Sequence, residues 1–138
     1  MKNKLILLAV CLSFPALLHA ERDKTPLAKE MENIAKNVRQ LGPQVKDASK
    51  RDAALAEIHS IQKSAQTAKG LVPAKAKELP SEQQAAFISD YKTKMDQLIA
   101  EFTKLEDAVK LGNTAEAQKI LMGLRSIKRD GHEKFSSE

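Results

Sequence analysis

Apolar residues at Ile88, Tyr91, Met95, Leu98, Phe102, Leu105 and Val109 recur at unbroken spacings of three and four. Only an α-helix gathers such a series onto one face, so this stretch must form a long helix with a stripe to bury. Ser81 with Glu82, behind Pro80, marks its start, and Gly112-Asn113-Thr114 marks a tight reversal after it.

Three further stripes have the same period. Leu27, Met31, Ile34, Val38 and Leu41 follow Thr25-Pro26, a cap and a first-turn proline, and should stop before Gly42-Pro43. Leu55, Ile58, Ile61, Ala65 and Ala68 form the second stripe, beginning somewhere between Lys46 and Asp52 and ending at Gly70 and Pro73. Ala117, Ile120, Leu121, Leu124, Ile127, Gly131 and Phe135 carry the fourth helix almost to the terminus. No segment alternates with the period of a strand. Four amphipathic helices with short connections bury their stripes most economically as an all-α, antiparallel up-down-up-down four-helix bundle.

Residues 1–20 read differently. Lys2 and Lys4 precede an apolar run from Leu5 through Phe14 and a Leu18-His19-Ala20 cleavage pattern, the arrangement of a secretory signal peptide. The expected mature domain spans residues 21–138 and carries no membrane span. Export removes Cys11, the only cysteine, so neither disulfides nor thioether-bound cofactors are expected. It also removes two lysines and no acid, which takes the formal charge from +5 to +3. That charge is too mild and scattered to suggest a nucleic-acid partner.

The side chains exclude most catalytic chemistry. The mature chain keeps only His59 and His132 and has no glycine-rich phosphate loop. A bundle-borne di-iron site needs a Glu three residues before a His on each of two helices, whereas Ala56 and Arg129 hold those positions. No enzymatic activity is expected. What remains is a coincidence of place. Met31 lies early in the first helix and His132 near the end of the last, and antiparallel topology brings that start and that end together. Phe87, Tyr91 and Phe135 fall at the same end, with Leu27, Ile34 and Leu71 as further apolar lining, while His59 falls nearer the other end. One thioether and one imidazole in an apolar, aromatic setting suit the axial positions of a haem iron. The same residues also suit a plain core, because methionine is common core filler and a histidine at a stripe margin is usually structural. On the residues alone both readings stay open.

Met31-Glu32-Asn33-Ile34 through Val38, Glu116-Ala117-Gln118 followed by His132, the pair Phe87 and Tyr91, and the run Leu105-Glu106-Asp107-Ala108-Val109-Lys110-Leu111 together resemble the soluble cytochrome b562 family. The likeness is most specific in the last helix. It implies one haem b per chain with Met31 and His132 as axial ligands, contacts from Phe87, Tyr91 and Phe135, and electron exchange with a redox partner in the periplasm. Covalent relatives attach haem through Cys-x-x-Cys-His. Here Lys128 and Gly131 stand in the cysteine positions before His132, which implies non-covalent haem. Lys128, one turn before His132, is the expected propionate contact, with Arg129 as the alternative. After Phe135 the chain has serines where the family has a basic residue. Met95 is the rival methionine ligand, and Met122 should face away from the stripe. The competing expectation is a haem-free exported four-helix interaction module, such as a chaperone or stress adaptor.

Overall fold

A computed structural model describes residues 24–137, and the expected signal peptide lies outside them. Four helices follow one another: α1, Pro26–Gln44; α2, Arg51–Lys69; α3, Ser81–Lys110; and α4, Thr114–Phe135. They form an all-helical four-helix bundle, with no strand among the described residues.

Local chemistry sets the boundaries. Thr25 Oγ1 accepts from the Ala28 amide at 3.1 Å, and Pro26 fills the first helical position, where a missing N–H costs nothing. α1 does not stop before Gly42-Pro43, as the breaker pair suggested, but runs through it to Gln44. A proline this close to the end forfeits a single bond, and the Val45 amide still donates to Leu41 O at 3.0 Å. The reward is that both Leu41 and Val45 are buried. Asp47 then nucleates a short 3-10 turn at Ala48–Lys50 by accepting from the Ser49 amide and hydroxyl at 3.0 and 2.6 Å, which places the start of α2 at Arg51. A second 3-10 turn, Ala74–Glu78, leads to α3.

Between α3 and α4, Gly112 adopts a φ of +70°, and a Cβ there would lie 2.9 Å from the Arg51 guanidinium. The Asn113 side chain caps α4 by accepting from the Glu116 amide at 3.1 Å.

Helices joined in sequence pack on one another along their lengths: α1 on α2, α2 on α3 and α3 on α4. The fully buried side chains Leu41, Ile58, Ile61, Phe102 and Leu105 lie in these seams, and Ala54, Ala65 and Ala68 keep α2 slim enough for close approach. α1 and α4, which no hairpin joins, do not pack closely in this way.

Candidate functional site

The stripes of α1 and α4 face a cleft of about 1350 Å³ instead of each other. One wall is Leu27, Met31, Ile34 and Val38 of α1; the other is Leu121, Leu124, Ile127 and Phe135 of α4; Tyr91, Met95, Leu98 and Phe102 of α3 contribute its floor. The volume exceeds the roughly 300–1,000 Å³ usual for a small-molecule pocket, and an opening this size along a bundle core is not a packing defect.

Met31 and His132 both line this cleft, one from each unjoined helix. Met31 is 38% exposed, unusual for a methionine on a helical stripe and a consequence of the missing neighbour across the seam. His132 is exposed on α4, and its Nδ1 lies 2.6 Å from Ser136 Oγ, one turn onward at the end of the helix. Ser136 also lines the cleft.

The aromatic cluster divides into two layers. Tyr91 and Phe135 border the cleft, with ring centroids 5.5 Å apart and planes at 72°. Phe87 is not among the lining residues. It packs edge-on against Phe135 at 5.2 Å and 65°, so the pair with Tyr91 is split between the cleft wall and its backing. Leu71, expected in the lining, is likewise absent from it. Tyr91 is 4% exposed and donates its hydroxyl to Ala68 O at 2.6 Å, tying the cleft floor to the last turn of α2. Burial pushes that phenol up to about 12.

Lys128 lines the cleft, whereas Arg129 does not; its guanidinium bonds Asp130 at 3.1 Å and Ser126 at 3.3 Å. Met95 is buried in the floor. Met122 departs from expectation: it is 62% exposed but still borders the cleft, because the opening extends past the stripe onto the flank of α4. His59 lies elsewhere, exposed, with Nε2 3.0 Å from Glu106 Oε1. Glu106 also accepts from Gln62 and pairs with Lys110. These bonds, Lys110 foremost, pull its carboxyl down to about 2, and the cluster clamps α2 to α3 away from the cleft.

Lys46 and Lys94 read in the sequence as ordinary solvated-face residues and Arg39 and Arg125 are not singled out there, but all four line the cleft. Arg125 had a readable signal, since Leu121, Arg125, Lys128 and His132 follow one another at spacings of four, three and four.

Among the described residues no three His, Cys, Asp or Glu side chains gather as a metal-binding group. One thioether and one imidazole are too few donors to hold a bare ion, but they match the two axial positions of an iron already held in plane by a macrocycle. The cleft's size and apolar walls fit such a flat body. A family model described as cytochrome b562 matches residues 26–136, from the first residue of α1 to the residue after α4. No curated protein matches the chain.

Proposed function

The chain belongs to the cytochrome b562 family of haem-binding electron-transfer proteins, and on that premise we propose that it holds one haem b, without covalent attachment, between α1 and α4. In this reading Met31 Sδ and His132 Nε2 would hold the haem iron, and the protein would carry single electrons in the periplasm after residues 1–20 are removed. The supporting observation is that one apolar cleft is lined by a methionine from the first helix and a histidine from the last.

Held by Met31 and His132, a haem would supply one-electron chemistry, which suits a carrier and not an oxygen-activating enzyme. The chain's own residues do the rest. Met31 presents a soft thioether, which would favour ferrous over ferric iron in a bound haem. With His132 Nδ1–H donating to Ser136 Oγ, Nε2 keeps its lone pair for the metal, so Ser136 sets the tautomer and steadies the ring. Tyr91 and Phe135, braced by Phe87 and by the bond to Ala68, keep water from the apolar faces. Lys128 offers counter-charge to a propionate. Lys128 and Gly131 leave nothing before His132 to form thioether bonds.

Titrating the mature protein with haemin tests the proposal. The expected result is a low-spin spectrum with sharp α and β bands on reduction, saturation at one haem per chain, and complete extraction of pigment by acid-acetone. Protein that stays colourless in excess haemin would refute it and favour the haem-free interaction module.

A further inference from the structure

The charges around the cleft are one-sided. Arg39 of α1, Lys46 of the turn after it, Lys94 of α3, and Arg125 and Lys128 of α4 line it, against a single carboxylate, Glu32. That carboxylate is already bridged to Lys24 at 2.8 Å. None of the five cations forms an ion pair among the described residues. Some lysines and arginines elsewhere pair, such as Lys69 with Asp96, Lys104 with Glu101, Lys110 with Glu106, Lys134 with Asp90 and Arg129 with Asp130. Lys29, Lys36, Arg51, Lys63, Lys75, Lys77 and Lys92 do not among the described residues, so what sets the cleft apart is five cations sharing one lining with one carboxylate. All five are exposed except Lys94, which is half-buried. Five like charges around one opening repel one another, and Glu32, the one carboxylate in the lining, which Lys24 bridges and Arg39 also attracts, offsets only part of that repulsion.

Haem b brings two propionate carboxylates, enough to neutralise two of the five. At least three cations then remain at the mouth, on the surface through which an electron would leave. Resting on the electron-transfer reading above, we infer that this cationic rim is the docking surface for the redox partner, and that the partner is a protein presenting an acidic face. Opposite charge at the exit speeds encounter and orients the partner over the cleft, while rim pairs that stay hydrated keep the complex short-lived, as repeated electron exchange requires.

The test uses ¹⁵N-labelled mature protein loaded with haemin and titrated with flavodoxin, a small acidic flavoprotein, as the probe. Amide shifts should be confined to residues around Arg39, Lys46, Lys94, Arg125 and Lys128, and Kd should weaken roughly tenfold or more between about 20 and 200 mM NaCl. The triple variant Arg39→Gln, Lys46→Gln, Lys94→Gln should weaken binding by about tenfold while retaining haem. Neutralising Lys63, Lys69 and Lys104, none of which lines the cleft, should leave it unchanged. Scattered shifts, or equal loss in the two triple variants, would overturn the inference. So would preferential sedimentation with phosphatidylglycerol vesicles over flavodoxin binding, which would make the rim a membrane contact. The haem band, read in the same sample, separates the two proposals: haem uptake with no rim footprint overturns the docking surface alone. A rim footprint on protein that takes up no haem supports acidic docking while overturning the electron-transfer role.

Discussion

Truncating Met31 to alanine distinguishes a ligand from a packing residue, because the two roles differ in when the side chain matters. Fully burying a methionine is worth about 1.5–3 kcal/mol, and deleting one from a closed core costs about 2–5 kcal/mol. Met31 is 38% exposed and its remaining surface borders an open cleft, so without haem Met31→Ala should cost about 1 kcal/mol or less. Met95, 4% exposed in the floor, should cost the full core amount. With haem the ordering changes. If losing the thioether weakens haem binding about a hundredfold, the stabilisation from bound ligand drops by a further 2.7 kcal/mol or so, from RT ln(1 + [L]/Kd). Urea unfolding of both variants, with and without saturating haemin, measures all four values. In parallel, the Met31→Ala spectrum should turn partly high-spin, bind added imidazole, and lose reduction potential as the ligand favouring ferrous iron disappears. An equal stability loss with and without haemin, together with an unchanged spectrum and potential, would refute the assignment. If Met95→Ala moved the potential instead, the thioether ligand would belong to α3.

His132→Ala should abolish stable haem binding while leaving the stability of the haem-free protein within about 0.5 kcal/mol, since the ring is exposed; equilibrium haemin titration and urea melts read the two effects. Ser136→Ala should keep haem low-spin but weaken its binding about tenfold and shift the reduction potential, with Ser136→Thr restoring both because the hydroxyl returns. For Glu106, a folded-state value near 2 against the ordinary 4.5 means stability fully present above about pH 4.5 and lost as pH falls toward 2. The linkage ceiling is about 3 kcal/mol, but Lys110 and His59 are more than half exposed, so Glu106→Gln should cost about 1–2 kcal/mol at pH 7 and nothing at pH 2, measured by urea unfolding across that range.

The helices were legible because burial demands a stripe and a stripe has a period. The error at Gly42-Pro43 came from treating proline as a stop wherever it falls, when its cost depends on how many carbonyls still need a donor beyond it. At the site, the fourth helix was the most readable element. Lys128, His132 and Phe135 follow its stripe into the cleft, and Arg125 was overlooked only because a charged residue at a stripe margin looks like ordinary solvated surface. Phe87 and Tyr91 are four apart on one helix face, and periodicity alone cannot separate a wall residue from the one behind it. The bond from Ser136 to His132 was also out of reach, since it depends on the helix ending at Phe135 and turning the next side chain back.

Periodicity is silent on what a stripe faces, and here that silence covers the whole function. The stripes of α1 and α4 are as apolar as the others, so nothing in their spacing says that they meet a cleft and not each other. Connectivity supplies the reason the opening falls where it does. Each of the other three neighbouring seams is closed by a short connection that holds two helices at packing distance, and α2, with Ala54, Ala65 and Ala68 on its buried face, draws its neighbours in further. The seam between first and last helices has no such tether, so separating them breaks no turn and strands no backbone hydrogen bond, because each helix satisfies its own. The cost is apolar surface left facing a gap, which a flat apolar body lying in the seam would recover. An up-down-up-down bundle can therefore admit a large planar group most cheaply between its first and last helices. On the proposed reading, one donor from each of those helices would make the inserted group itself the tether that the chain does not provide.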